Sequence, residues 1–401
     1  MGRGGGARAS AARTRALAAR SSTDGAAAAE RGAGNPWLRA RRLLVVRADN
    51  IGDVLMAGPA LEALRAALPA ARITLLASPT GAEAAPLLPW IDDVIAWRVL
   101  WQDLGRLPLD PRRERRLIAR LARERFDGAI ILTSFSQSPH PPAFAAWLAG
   151  VPLRAGASHE RSELLTHAIP SGPDGQHQVA RNLELVAALG FPVHDDRLAL
   201  HVPAAAQVRA AALLEARGVS AGTPYLLLAP WASAAARTYD AVRMAEAARL
   251  AAAATGATVV VTAHPRDAER TAALAARTGP RTVDLTGATS VAELAALIAR
   301  ARLVLTVNTS ALHMADAFGV PVVALYSGTD LVSQWAPRRA PHALLRRATP
   351  CTPCYRFTCP FGMECLDVEP EAVAAAVTAL LSKRAARTPS TDAAAERPAH
   401  A

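Results

Sequence analysis

The sequence predicts an α/β protein of two doubly wound, Rossmann-like parallel sheets that face each other across a cleft. Short continuous apolar runs alternate with amphipathic segments along most of the 401 residues. This pattern is typical of parallel strands covered by helices on both faces. The alternation pauses near residues 200–222 and then restarts. A chain of this length also exceeds the usual size of one domain, which favours two.

The first half shows a strand, a turn and then a helix. The apolar run Leu43–Val46 is followed by a turn over 50–53 and by helical spacing over 54–68. Further along, the same reading predicts strands over 73–77, 94–97 and 129–132, and a basic amphipathic helix over 112–125.

The second half repeats this alternation after a helix over 204–217. Ligands of open parallel sheets bind beyond the carboxyl ends of the strands, so the loops that follow strands should carry the site. The expected strands are 226–228, 258–262, 282–285, 303–307 and 322–326, and the expected helices are 240–254, 267–277, 290–300 and 310–318.

The division into domains follows from composition. Residues 1–36 are rich in Arg, Ala and Gly and are expected to be a disordered extension; a targeting segment is the alternative. Residues 37–202 form the N-terminal domain. The C-terminal domain covers 203–382 with a Cys-rich segment at 351–365, and 383–401 form a disordered tail.

The charge distribution argues against nucleic acid as a partner. The formal net charge is +11, but residues 1–42 carry +7 and residues 382–401 carry +2, which leaves +2 on the body. Such a body lacks the basic surface that duplex binding requires. No run approaches about 20 apolar residues, so no transmembrane segment is expected. We expect a cytoplasmic protein, and the basic arm could hold it peripherally on anionic lipid at the inner membrane face.

The first candidate site is the turn from Arg47 to Asp53. Gly52 permits a sharp turn and the close approach of a substrate, and Asp53 begins a helix at the carboxyl end of a strand. The Asp53 carboxylate could take a proton from an acceptor hydroxyl. The alternative is that Asp53 only caps the helix. Arg47, Asn50 and Gly52 are candidate acceptor-side residues.

Two loops of the second half are candidate phosphate-binding sites. One follows strand 226–228 and holds Ser233, Arg237 and Thr238; a solvated loop is its alternative. The other precedes helix 310–318, where hydroxyl groups at a helix N-terminus suit an anion. On that helix, packing is the alternative role for the histidine. The candidates are Asn308, Thr309, Ser310 and His313.

The four cysteines fall within fifteen residues, which is unlike a secreted disulfide framework. Their spacing could close a tetrahedral site on structural zinc or iron. Reduced structural thiols or local disulfides are the alternatives. The candidate ligands are Cys351, Cys354, Cys359 and Cys365.

Taken together, these motifs resemble the ADP-heptose:lipopolysaccharide heptosyltransferases of glycosyltransferase family 9. The resemblance runs in order from about residue 42 to 381. It rests on Leu43 to Arg47 with Ile51-Gly52-Asp53, His177 to Gly190, Asp284 to Gly287, Glu293 to Leu297, Asn308 to His313, Gly319 to Val322 and the Cys-Pro segment.

The resemblance implies a GT-B fold, with the acceptor held by the first domain and a nucleotide-diphosphate sugar, with ADP-heptose as the first candidate, held by the second. It implies inverting transfer to a cell-surface glycan or glycolipid, with no cofactor required and Asp53 as the base. Arg237 occupies the place of a family Lys. A nucleotide-sugar epimerase and a catalytically silent binding module are the alternative functions.

Overall fold

The computed structural model of the chain describes residues 34–103, 106–135, 137–160 and 162–387. Most of the extension expected over 1–36 and of the tail expected over 383–401 therefore lies outside the described residues. Near the amino end of the described residues, the Asn35 side chain accepts a hydrogen bond from the Trp37 N–H and donates one to the Leu189 carbonyl.

The first half of the chain forms a six-stranded sheet in which all neighbouring strands are parallel. Its strand order is β3-β2-β1-β4-β5-β6. The strands are β1 (Arg42–Arg47), β2 (Arg72–Ala77), β3 (Asp93–Ala96), β4 (Gly128–Ile131), β5 (Leu153–Ala157) and β6 (His167–Ile169).

The second half forms another six-stranded parallel sheet, in the order β12-β11-β10-β7-β8-β9. The pause in the strand–helix alternation near residues 200–222 therefore marks the boundary between the two sheets. The strands are β7 (Tyr225–Ala229), β8 (Thr258–Val261), β9 (Thr282–Asp284), β10 (Leu303–Val307), β11 (Val322–Leu325) and β12 (His342–Leu345).

Helices cover both faces of the sheets. In β1, Leu43 and Val45 enter one apolar cluster while Leu44 and Val46 enter another on the opposite face, as strand geometry requires. The helices are α1 (Ile51–Leu55), α2 (Gly58–Ala67), α3 (Pro79–Ala82), α4 (Pro111–Glu124), α5 (His140–Leu148), α6 (Gln178–Ala188), α7 (Ala204–Glu215), α8 (Ala241–Thr255), α9 (Ala268–Thr278), α10 (Val291–Arg300), α11 (Ser310–Phe318), α12 (Val332–Trp335) and α13 (Pro370–Arg387).

The helix expected over 54–68 is divided in two. It begins earlier, at Ile51, and breaks between α1 and α2, where Pro59 lies in the first turn of the second helix. The prediction from the sequence did not include the strands β5, β6 and β12 or the helices α3, α5, α6, α12 and α13. The other predicted elements agree with the structure to within two residues at each end.

The two halves contact each other directly at the carboxyl ends of their sheets. Helix α1 packs against α11, so the turn before α1 and the turn before α11 meet. The His177 ring lies within hydrogen-bond distance of the Ala336 carbonyl, and Gln334 donates to the Asp174 carbonyl. These contacts place the loops of both sheets around one cleft.

Candidate active site

The cleft between the two sheets is lined by loops from both halves and has a volume of about 460 Å³. This size falls within the usual range for ligand pockets. Most of the site residues predicted from the sequence line it: Asn50, Gly52, Asp53, Ser233, Arg237, Asn308, Thr309, Ser310 and His313.

Asp53 lies on the wall contributed by the first half. Asn50 is the N-cap of α1 and Asp53 is the third residue of its first turn, so the expectation that Asp53 itself begins the helix is corrected. Its Oδ2 accepts a hydrogen bond from the Asn50 N–H at 3.2 Å, as in a capping box. Its Oδ1 accepts one from Arg47 Nη2 at 3.0 Å. The carboxylate is thus oriented from two sides while facing the cleft.

Arg47 lies beneath the cleft rather than on its wall. Its side chain is fully buried and bridges two carboxylates, with Nη2 at Asp53 and Nε 3.2 Å from Asp49 Oδ2. The Arg47 Nη2 group also donates to Ser134 Oγ at 2.8 Å. Arg47, predicted as an acceptor-side residue, is placed by the structure where it can position the two aspartates.

Asp49 was not predicted as a site residue, although it lines the cleft. Its Oδ1 accepts hydrogen bonds from the side-chain amides of Gln102 and Gln137, each at 2.6 Å. Burial raises the pKa of Asp49, and the adjacent Arg47 opposes that shift by favouring the charged form. The carboxylates of Asp49 and Asp53 therefore share the guanidinium of Arg47.

Arg237 faces the cleft from the second half. Its Nη2 pairs with Asp330 Oδ1 at 3.0 Å and its Nε donates to Thr329 Oγ1 at 3.2 Å. Asp330 also accepts a hydrogen bond from the side-chain amide of Asn308 at 3.3 Å. The Arg237 guanidinium is thereby fixed in orientation, and the buried Asp330 ties together two of the predicted phosphate-binding loops.

The start of α11 opens into the same cleft. Thr309 is its N-cap in an extended conformation and makes no side-chain cap hydrogen bond, and Ser310 is the first helical residue. The first N–H groups of a helix have no partners within it and carry a partial positive charge. Together with Arg237, this terminus forms a cationic region suited to an anionic group.

His313 lies where the two halves meet. It is buried and lies 6.3 Å, between ring centroids, from Trp335. A Cβ on Gly52 would come within 2.9 Å of His313 Cδ2, so the absence of a side chain at Gly52 permits this approach. Burial lowers the pKa of His313 to about 4, so the ring is neutral near pH 7 and can donate only one ring N–H.

Thr238 does not line the cleft. Its hydroxyl donates to the Ala234 carbonyl and accepts from the Ala232 N–H, so it holds the shape of the loop that carries Arg237. Thr238, which was predicted to bind phosphate, instead makes hydrogen bonds within its own loop.

The Cys-rich segment forms part of the cleft wall through Tyr355 and Phe357. The Tyr355 N–H donates to the Thr329 carbonyl and the Ala236 N–H donates to the Phe357 carbonyl. The segment therefore braces the loops that carry Arg237 and Asp330. This role was not foreseen, because the hydrogen bonds join backbone groups that are far apart in sequence.

All four cysteines are free thiols, and Cys365 is buried. Within the four described ranges, no three His, Cys, Asp or Glu side chains are grouped so that they could hold a metal ion. As arranged here, the thiols do not form a ligand set, and structural zinc or iron at this segment remains a prediction.

The sequence profile of the family described as glycosyltransferase family 9 (heptosyltransferase) matches residues 114–364. A Haemophilus influenzae protein, provisionally described as a glycosyltransferase, is 24% identical over 308 residues, which cover 74% of this chain and 86% of that protein.

Solved structures with the same arrangement include a family 9 glycosyltransferase of Veillonella parvula, with a TM-score of 0.69 and 20% identity over 86% of this chain and 97% of that one. The E. coli ADP-heptose LPS heptosyltransferase II gives a TM-score of 0.65 and 21% identity, covering 86% and 99% of the respective chains. At these identities the likeness establishes the fold, which is of the GT-B type.

Proposed function

Because the chain belongs to glycosyltransferase family 9 and is therefore a glycosyltransferase, we propose that it transfers a heptose from an ADP-linked donor to a hydroxyl of a lipopolysaccharide-type glycan. The observation that carries this proposal is the meeting of Asp53 with the cationic start of α11 across one cleft. One wall supplies a base and the other supplies an anion site. Transfer from a nucleotide diphosphate needs both.

The donor diphosphate would lie at the start of α11, beside Thr309 and Ser310. The Arg237 guanidinium, held by Asp330, would stabilise the charge that develops on the diphosphate as the bond to the sugar breaks. Neutral His313 would donate its single ring N–H at the same place. Ser233 and Asn308 border this region. The apolar Val291 and Leu294 line another part of the cleft, where the adenine ring of the donor can bind.

Asp53 would act as the general base. A carboxylate offers about four lone-pair sites, and the protein occupies two of them, through Arg47 and the Asn50 N–H. The remaining sites can accept the proton of an acceptor hydroxyl. The acceptor oxygen then bonds to the anomeric carbon from the face opposite the diphosphate, and ADP leaves with the electron pair of the broken bond. The sugar configuration is inverted.

The proposal divides the chain at about residue 202, with acceptor binding before it and donor binding after it. It needs no cofactor, because the helix start and Arg237 supply the positive charge.

No helix of the described ranges has both the length and the apolarity to cross a bilayer. We place the reaction in the cytoplasm at the inner membrane face, because the four cysteines fall within fifteen residues, unlike those of a secreted disulfide framework.

Calorimetric titration with ADP, UDP, GDP and ADP-heptose tests the donor class. We expect selective binding of the ADP compounds, weakened in Arg237→Gln. Mass spectrometry of a heptose-deficient lipopolysaccharide acceptor incubated with ADP-heptose should then show the mass of one added heptose. Donor consumption without any acceptor would instead favour an epimerase, and no nucleotide binding would favour a silent binding module.

A further inference from the structure

Helix α5 exposes a cluster of large apolar side chains. Phe144, Trp147 and Leu148 are 47%, 51% and 48% exposed, and they share one face at helical spacing. The rings of Phe144 and Trp147 stack on each other with centroids 5.8 Å apart. We call these three residues the aromatic patch. Soluble proteins seldom expose such clusters unless they contact a partner or a membrane.

The neighbouring helix α4 exposes a row of arginines. Over its length it carries six arginines against two glutamates, a net +4. The two glutamates are already paired, Glu114 with Arg113 and Glu124 with Arg42. The other five arginines form no ion pair within the described part of the chain, and we call them the arginine row: Arg112, Arg115, Arg116, Arg120 and Arg123.

The aromatic patch and the arginine row face the same way. Leu117 and Leu121 of α4, together with Ala143 and Ala146 of α5, pack into one apolar cluster on a single face of the N-terminal sheet. The two helices also contact each other. Their solvent-facing sides therefore point away from the same face of the sheet. Together they form one surface in which the apolar aromatic patch lies next to the strongly cationic arginine row.

We propose that this surface docks on an anionic lipid bilayer. Trp and Phe are suited to the level of the headgroups, and arginines near a membrane surface are attracted to anionic lipids. Duplex nucleic acid would use the arginines and leave the aromatic patch exposed to water. A second copy in a two-fold contact would bring two arginine rows together, and like charges repel.

The placement of the surface relates it to the cleft. Helices α4 and α5 begin on the side of the carboxyl ends of the strands, and the loops before them carry Gln102 and Gln137, which hold Asp49. Docking would thus keep the wall that carries Asp53 near the membrane. That benefit rests on the proposed function, whereas the docking itself does not depend on it.

Co-sedimentation of the full chain with lipid vesicles tests the proposal. We expect binding to an equal mixture of phosphatidylcholine and phosphatidylglycerol and much weaker binding to phosphatidylcholine alone. Each arginine contributes roughly fivefold to partitioning, so the triple variant Arg115→Gln, Arg116→Gln, Arg120→Gln should bind roughly a hundredfold less. The Phe144→Ser, Trp147→Ser variant should also bind less tightly.

Matched controls come from the C-terminal half. Arg249→Gln, Arg277→Gln, Arg300→Gln removes three other exposed arginines, and Val208→Ser, Val242→Ser removes two other exposed apolar side chains. Both controls should bind like the wild type. Calorimetry with ADP should give the same affinity for every one of these variants, which separates a failure of docking from a failure of the proposed donor site.

Two results would overturn the proposal. Equal vesicle binding by the wild type and the triple variant would assign any membrane contact to another segment, such as the Arg-rich amino terminus. Conversion of a wild-type dimer to a monomer by Phe144→Ser, Trp147→Ser, seen by analytical ultracentrifugation without vesicles, would make the aromatic patch an interface between copies of the chain.

Discussion

The substitution Gly52→Ala probes the contact between the two halves at the site. The added Cβ would lie 2.9 Å from His313 Cδ2, 3.4 Å from His313 Nε2 and 3.7 Å from Ser310 Cα. The first distance is shorter than carbon atoms tolerate. His313 is only 5% exposed, so its ring has little room to move. The start of α11 must then shift away from the turn that carries Asp53.

The size of the effect follows from the cost of overpacking. An extra carbon in a well-packed contact costs about 1 to 3 kcal/mol, and relieving it separates the start of α11 from the turn that carries Asp53. We therefore expect kcat/KM to fall by about 5- to 150-fold. Alanine is a better helix former than glycine by about 0.5 to 1 kcal/mol. The melting temperature should accordingly fall, but by less than the overpacking alone would cause.

Initial rates of ADP release and thermal melts measure both quantities. Gly34→Ala is the matched control, because no atom of the described residues lies within 4 Å of a Cβ at Gly34, and this variant should keep wild-type rates. A Gly52→Ala enzyme with kcat/KM within twofold of the wild type would refute the idea that catalysis requires this contact.

Three further predictions concern charged and titratable groups of the site. Arg237→Gln should raise the Kd for ADP by roughly 10- to 150-fold, since a charge-assisted hydrogen bond is worth about 1.5 to 3 kcal/mol; unchanged calorimetric affinity would exclude the role. Arg47→Gln leaves two carboxylates without their shared cation and should cost about 3 to 5 kcal/mol of unfolding free energy, measured by urea titration, and an unaltered midpoint would contradict this. Because burial lowers the pKa of His313 to about 4, the unfolded state binds more protons below its ordinary pKa, and the stability contributed by the neutral ring is lost as pH falls from about 6.5 towards 4. Urea titrations of His313→Gln should show a shallower acid decline than the wild type, and an equal decline would be the contrary finding.

The sequence predicted the fold, and it predicted residues that the structure brings together in one cleft, because both predictions depend on local patterns. Asp53 and Thr309 each follow a buried strand and stand at the start of a helix, and this arrangement can be recognised within a dozen residues. In a doubly wound sheet such positions lie at the carboxyl edge. The structure places both in one cleft.

The supporting residues could not be predicted in the same way. Asp330 contacts Arg237, which is 93 positions away in sequence, and Gln137 contacts Asp49 at a separation of 88. No local pattern encodes such pairs. A weak signal was present, since Asp49 follows β1 and Asp330 follows β11 within a few residues. Polar residues soon after a buried strand could have been weighed as site candidates on that ground.

Short elements were also missed for physical reasons. Strand β6 has three residues and an exposed central position, so it lacks the apolar run that marks a buried strand. Helix α5 begins His-Pro-Pro, and its outward face is apolar. The helix therefore lacks an amphipathic pattern, because the aromatic patch occupies the solvent-facing positions where polar residues are usual.

The single-turnover rate of Asp53→Asn at saturating donor tests the central claim most directly. The substitution keeps the size of the side chain and removes its ability to take a proton. We predict a rate lower by a factor of about 10² to 10⁴, with ADP affinity unchanged, because the donor is bound by the other wall of the cleft. A single-turnover rate equal to that of the wild type would contradict the assignment of Asp53 as the base.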